Sequence, residues 1–562
     1  MAYGERVRAV PRTVSNLEAP ASATRTRAGR HVRRARGRAE SFPVDGLRFA
    51  VVRLEGGLRR VWVTGCGLLV AQLVGLVAWS WHLWTRFDLT SDMATFAQAF
   101  EQVGTGHLDP YLTTFAHHYP HYGYPFYQSH LELLLWPLAL LYPVFRTAFV
   151  LLVVQDVALV GAGALALRWG LEILARRWPP GRRGAPTVGA AAVVLLVASP
   201  WTYWSASFDF HFQPLGACFA LGAGRDLWAG RRRLWAWVAP VLACGDVAAT
   251  YVLGLGLAGA MAGRRTRRPG IALVVVALGW LAVVGLVHSG KGSSLAAGYG
   301  YLAGHPVSDG LSGMAAVVWG MVSHPARPLH VLGQRLGSLA QYAAGAGVLG
   351  VVSVIGGALF VVVLGANALN STPVYVSHIG AFQNVCAAFF LAVGSVTTVT
   401  WVARRRAHRA PRVATVLGVL VALPAVVVGA LVVPQARGTF ATVGRSTAGE
   451  LAVAAASIPG DSEVVASQGV VGRFGARRWV YPYIGPAGGG QTVPVYGDQV
   501  YFVMVSTAGV ELAPPADTEA AVAQLRALGA RTVVDGHGVV VLAWRRPADL
   551  HLLTLRPASP GS

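Results

Sequence analysis

The chain of 562 residues is poor in charge: Asp, Glu, Lys and Arg together make up 13% of it, roughly half the share of a soluble domain. Lys291 is its one lysine, so arginine holds nearly every basic position. Cysteine is scarce as well. Cys66, Cys218, Cys244 and Cys386 all lie in apolar stretches without metal-ligand spacing. That excludes a disulfide framework or a structural zinc site and predicts buried free thiols. There is no P-loop, no GxGxxG followed by an acidic partner, no nucleophile elbow and no HExxH, so a nucleotide cofactor or serine-hydrolase chemistry has no foothold.

Apolar sequence is what the chain has instead. Hydrophobic residues reach 54%, and several uncharged runs are 18 residues or longer, the length that crosses a bilayer. The net charge of +22 could suggest nucleic acid, but its distribution argues against that partner. Arginines crowd the first sixty residues and the short connections at Arg176, Arg177, Arg182 and Arg183, at Arg231 to Arg233, at Arg264 to Arg268, and at Arg404 to Arg406. Basic residues in short loops mark the cytoplasmic face and favour contact with membrane lipids. A multi-pass protein of a bacterial plasma membrane follows, with its N-terminus cytoplasmic.

Residues 1–45 read as a disordered basic cytoplasmic tail. The membrane domain is expected over 61–433, with spans near 61–84, 147–168, 187–204, 270–288, 379–402 and 413–433 and one more returning to Arg231. Residues 131–145, short and carrying Pro137 and Pro143, read as re-entrant or interfacial. Between 234 and 263, parity of the arginine clusters requires two short helices broken around CGDVAAT, or one re-entrant loop. Over 343–369 it favours a hairpin broken near Gly356 and Gly357. Outer loops are expected at 85–130 and 289–340. The last part, 440–562, changes character to a small extracytoplasmic α/β domain. There Thr447-x-x-Glu450 suggests a capping box, Gly529 ends a helix, and Asp535-Gly536 turns a hairpin. The fold class expected is thus an all-α polytopic membrane protein of about ten to twelve transmembrane or re-entrant helices with that appended domain.

Two polar stretches at membrane edges could carry chemistry. In the first, Asp88 and Asp92 are four apart and share a face of any helix there; either could take a proton or hold a metal, or the pair could be solvated acids or an N-cap. HHYPHYGYPFYQSH adds His117, His118, His121 and His130, without a spacing that specifies a metal. In the second, SFDFHFQP, Asp209 and His211 flank Phe210 and would point to one side of an extended chain. Ionisable groups among phenylalanines at a membrane edge are costly unless paired. Asp156 and Asp246 lie inside apolar runs, where an acid costs about 2.5 to 3.5 kcal/mol to insert; Asp246, at the suspected break, is the stronger candidate. Lys291, Arg327 and Arg335 are basic groups placed away from the cytoplasmic clusters, where a phosphate-bearing headgroup would give them a purpose.

In order along the chain, these stretches resemble a family of polytopic membrane proteins called domain of unknown function 2079. Asp92-Met-Ala-Thr-Phe-Ala-Gln98-Ala matches the family's D-L-G-x-F-D-Q-A-like run, with Ala97 in place of the second acid. His130-Leu-Glu-Leu resembles its entry into a proline-bearing segment, and Phe208, Asp209, Phe210 and His211 match its F-D-F-H. Cys244-Gly245-Asp246 keeps the last acid of a K-E-D-like break, and Asn367-Ala-Leu-Asn370-Ser371 resembles N-L-L-S. The family is grouped by fold with the GT-C glycosyltransferases. That resemblance implies a GT-C-like core and transfer of a sugar from a polyprenyl phosphate donor to an extracytoplasmic acceptor. It implies Asp92 as catalytic base or metal ligand. His130, Asp209, His211 and Asp246 would line the substrate site, with Lys291 and Arg335 at the donor phosphate. A divalent metal is compatible, with Asp92, Asp209 and His211 as its candidate ligands. The alternatives are a non-enzymatic lipid or solute transporter using the same acids as a relay, or a membrane scaffold.

Overall fold

The computed structural model describes residues 54, 56–114, 123–129, 131–287, 294–307, 310–485, 490–507 and 512–558. The basic tail, the histidines at 117, 118 and 121, and His130 and Lys291 lie outside them. Among the described residues, six helices are long and apolar enough to cross a membrane: Gly56–Arg86, Phe149–Arg177, Ala185–Ser207, Arg264–Val287, Pro373–Arg405 and Ala407–Phe440. Shorter apolar helices complete the bundle at Leu135–Phe145, Asp246–Ala262, Leu311–Ser323 and Val354–Ala368. All four cysteines are free.

Each helix stops for a visible reason. Ala185–Ser207 is kinked where Pro200 opens its second segment, because proline cannot donate to the preceding turn. The short helices Leu234–Leu242 and Asp246–Ala262 are separated at Gly245, whose φ of 101° a side chain would resist. The pair Asp246–Ala262 and Arg264–Val287 packs backbone to backbone: a Cβ on Gly270 would collide with the Gly259–Ala260 peptide. In lipid, such close approach replaces the hydrophobic drive that water supplies.

The hairpin over 343–369 breaks earlier than expected. Helix Leu336–Ala346 ends at Gly347, with φ 112°. A 3₁₀ turn follows at Val348–Val352, and the chain re-enters a helix at Val354, capped by Ser353 through Gly356 N. Gly356 and Gly357 sit inside that second helix, where they let it pack on Gly350 O and Val351 O. They serve close packing instead of breaking the helix.

The arginine-bearing ends gather together. Arg225 pairs with Glu172 at 2.7 Å, Arg231 and Arg233 with Asp226, and Arg265 donates to Ala229 O. Asp92, Asp209, His211 and Asp246 lie at the other end.

Residues 445–558 form the α/β domain. Its five-stranded sheet runs Val480–Tyr483, Glu463–Ser467, Gln499–Val505, Val539–Arg545, Arg531–Gly536, with the first three strands parallel and the last two antiparallel additions. Alternation along the strands makes two cores. Val464 and Ala466 face helix Arg445–Ser457, while Val465 and Phe502 face helix Pro515–Ala527. Two local expectations fail here. Thr447 is already inside the first helix and its hydroxyl donates to His537 O, so no capping box forms. The hairpin turns at His537-Gly538, with φ values of 48° and 77°, because Asp535 and Gly536 still pair with Val540 and Val539.

Phe87 and Ala94 join the domain's own core. Asp88 accepts from Thr442 N and Val443 N, each at 2.8 Å. Gly472 N donates to Leu89 O, and Arg473 reaches Trp84 O while lying 4.2 Å over the Trp84 ring. Asp88 therefore does not share a function with Asp92; it fastens the domain.

Gly475 makes the closest approach, since a Cβ there would stand 2.6 Å from Ala94 Cα and 2.8 Å from Ala97 Cβ. Gly475→Val is expected to lift the domain from helix Ser91–Gly104. Limited proteolysis of the full chain around 441–444 should be faster in that variant and unchanged in Gly460→Val, which meets nothing within 4 Å.

Two buried acids give the docked domain a pH dependence. Burial pushes Glu463 up to about 7 and Asp88 to about 6, against the backbone N–H groups that favour their ionised forms. For an acid whose folded pKa is raised, stability is fullest below its unfolded pKa and falls as pH rises through the folded one. The domain's unfolding temperature is expected to drop between about pH 4 and about pH 7, and less so in Glu463→Gln.

Candidate functional site

The site begins with a glutamine about two turns into a membrane helix. Gln155, fully buried in Phe149–Arg177, donates from Nε2 to Asp209 O (2.8 Å) and Ser205 O (3.2 Å), and its Oε1 accepts from His211 N (2.7 Å). Those are the backbone groups left open where helix Pro200–Ser207 ends, in a region without water to satisfy them. Asp209 itself is held at φ 21°, outside the conformations a non-glycine residue prefers. The neighbouring Asp156 accepts from Ser80 Oγ at 2.8 Å, tying the same turn to the first span.

The strained Asp209 does not extend in parallel with His211. Its carboxylate accepts from Thr90 N, from Thr90 Oγ1 at 2.6 Å and from Met93 N at 2.9 Å. It caps, from across the bundle, the N-terminus of helix Ser91–Gly104, where a negative charge also meets the positive end of the helix dipole. Burial, followed by the charge of Asp92, raises Asp209 to about 6, and its hydrogen bonds pull the other way. Asp209 is a positioning residue, and what it positions is Asp92, in the first turn of the capped helix.

Asp92 Oδ2 stands 3.5 Å from His211 Nε2, with the Asp92 side chain one-third exposed and His211 buried. The His211 ring is stacked on Phe382 (centroids 3.8 Å apart) and Phe208 (5.3 Å). Its Nδ1 is buried without a hydrogen-bond partner. A proton on Nε2, facing Asp92, leaves only a lone pair to be buried at Nδ1, the less costly arrangement. Ala97, at the family's second acid position, lies about 140° around the helix from Asp92, against Gly475. A carboxylate there would be buried under the domain, away from the site. Gln98 beside it donates to Arg477 O and Arg478 O, so this part of the motif serves docking.

A third acid, Glu132, belongs to the site and was not singled out in the sequence. It is 4% exposed, and burial, then the charges of Asp246 and Asp92, hold its carboxyl well above the usual range. Leu134 N donates to Ala243 O, laying this segment against the helix break. A Cβ on Gly245 would meet Glu132 Cγ at 2.9 Å, which explains the glycine next to Asp246. The available sign was an acid inside the apolar run HLELLLWP. Asp246 opens its helix as an exposed residue and accepts from its neighbour, Val247 N.

Asn370 and its neighbours clasp a further segment over this end. Ser371 N donates to Gly298 O at 2.7 Å, Tyr301 OH to Leu369 O at 2.8 Å, and Asn370 hydrogen-bonds Tyr299. Burial raises the Tyr299 hydroxyl, and the charge of Asp246 adds to that. Arg335, between helices Ala326–Gln334 and Leu336–Ala346, lies within electrostatic reach of Tyr301. The described candidates thus form a gradient: acids and His211 in the centre, Arg335 at the rim.

The metal candidates do not form a ligand set. Among the described residues no group of three His, Cys, Asp or Glu side chains is placed to hold an ion. Asp209's oxygens are occupied as a cap, leaving one carboxylate and one imidazole.

Among curated proteins nothing matches this chain. Among solved structures, the crystal structure of ArnT from Cupriavidus metallidurans bound to undecaprenyl phosphate is similar at a TM-score of 0.41 and 11% identity, covering 85% of this chain and 97% of that one. The family described as "Predicted membrane protein (DUF2079)" matches residues 80–487, a stretch that takes in the capped helix, the FDFH segment, the helix break and the 472–480 region docked upon them. The chain belongs to that family.

Proposed function

We propose that this protein transfers a sugar from a polyprenyl phosphate carrier to an acceptor hydroxyl on the extracytoplasmic side of the bacterial plasma membrane. The observation that carries the reading is the 3.5 Å approach of Asp92 to His211, residues from distant parts of the chain, at the bundle end opposite the arginines. Basic residues favour the cytoplasmic side, so the acids and the α/β domain are assigned to the outer one.

Asp92 accepts the acceptor's hydroxyl proton while His211 Nε2–H orients its carboxylate. The acceptor oxygen bonds to the anomeric carbon as the bond from that carbon to the phosphate oxygen breaks. The phosphodiester leaves as polyprenyl phosphate, carrying one more negative charge. Arg335 is assigned to meet that charge, with Lys291 as its expected partner. Asp246 and Glu132 offer hydrogen bonds to the sugar. No step is routed through a metal.

A transporter would need ionisable groups along the bundle's midplane. Asp156 lies about two turns into Phe149–Arg177, towards the candidate site and short of the midplane, and is hydrogen-bonded to Ser80, which favours transfer. The test is to supply the purified full chain with a panel of polyprenyl phosphate sugars and an acceptor extract. Donor consumption with release of polyprenyl phosphate is expected; a panel left untouched would sink the reading.

A further inference from the structure

The stretch 311–336 has features that the transfer reading does not use. Helix Leu311–Ser323 has 13 residues, about 20 Å, too short to cross a bilayer. It nevertheless exposes Val318, Val322 and Trp319, the last by 72%. The next helix, Ala326–Gln334, buries no residue at all. Its Arg327, His330 and Gln334 recur at spacings of three and four on one face, and His330 and Gln334 hydrogen-bond at 3.1 Å. Leu329 lies on the opposite face, 66% exposed, and Leu336, 63% exposed, opens the next helix just beyond it. A helix with one solvated basic face and one bare leucine face rests in a membrane interface, and tryptophan prefers the same depth.

Beside this helix, Gly300, Tyr301, Gly304, His305, Pro306 and Val307 line an open groove of about 580 Å³. The Arg327 guanidinium lies against Gly304, where any side chain would collide with it. Residues 294–347 contain two arginines and three histidines against one acid, Asp309. These basic groups are at the Asp246 end, so the orienting bias that explains the other arginines does not explain them.

We propose that this surface binds an anionic phospholipid of the surrounding bilayer, its phosphodiester in the groove against Arg327 and His305 and its acyl chains along Leu329 and Leu336. Charge complementarity selects the occupant: the Arg327 guanidinium beside the groove and the excess of basic over acidic groups in this stretch suit a phosphate oxygen, and the exposed leucines suit hydrocarbon. The site adjoins the donor contact assigned to Arg335 but rests on Arg327, and it holds whether or not sugar transfer occurs.

Native mass spectrometry of the full chain in detergent, titrated with phosphatidylglycerol or phosphatidylcholine and no sugar donor, tests it. Retention of phosphatidylglycerol in preference to phosphatidylcholine is expected. Arg327→Gln should weaken it about fivefold and Leu329→Gln about tenfold, while Arg327→Lys keeps most of it. Asp92→Asn should retain the lipid fully, which separates this result from the fate of the transfer reading. Equal retention by the wild type, Arg327→Gln and Leu329→Gln would overturn the proposal. So would displacement of the lipid by inorganic phosphate at matched concentration, which would mark a site for free anions.

Discussion

Asp92→Asn is expected to lower sugar transfer by about 10²- to 10⁴-fold, the range for removal of a general base, while the protein stays folded. Asp92's side chain is one-third exposed, and its nearest hydrogen-bonding obligation, donation from its own N–H to Thr90 Oγ1, is a backbone one that asparagine keeps. The amide can still face His211, so geometry survives and only basicity is lost. Thermal unfolding in detergent should therefore match the wild type, and single-turnover donor consumption should collapse. A variant with unchanged turnover would remove Asp92 from the reaction.

Gln155→Leu should produce the second large effect, through structure instead of chemistry. Leucine is close in size and suits a membrane helix, yet it would leave Ser205 O, Asp209 O and His211 N without their common partner. A buried polar group left unpaired costs about 1–3 kcal/mol, and three such groups sit in one place. The expected result is a marked fall in unfolding temperature in detergent. Gln155→Glu separates the contributions: as the neutral acid favoured by burial it still accepts from His211 N and donates to one of the two carbonyls, so it should fall between leucine and wild type. If Gln155→Leu melts with the wild type, the FDFH segment is held by something else.

Much of this arrangement was legible in the chain. Phenylalanines around Asp209 and His211 marked a polar pair that needed a partner, and the position of both polar stretches at membrane edges suggested that they meet. Parity of arginine clusters placed a break around CGDVAAT, since about thirty residues between two clusters are too few for two full spans, and the helices part there at Gly245. Other parts were not legible, for physical reasons. Period-2 logic put Asp209 and His211 on one side, but the positive φ at Asp209 turns its carboxylate to a helix terminus that only the tertiary fold brings near. Asp88 and Asp92 had helical spacing, but the helix starts between them. Glu132 was hidden because an acid at the edge of an apolar run reads as an ordinary boundary residue. Gln155 carries no charge to draw notice, and its three partners are backbone atoms some fifty residues away.

The most direct measurement is a double-mutant cycle on donor turnover with Asp92→Asn, His211→Asn and the two combined. If His211 acts by orienting the Asp92 carboxylate, the double variant should lose scarcely more than Asp92→Asn alone, because contacting residues that act as a unit are not additive. Losses that multiply independently would mean that the two side chains do not work together, and the proposed site would not stand.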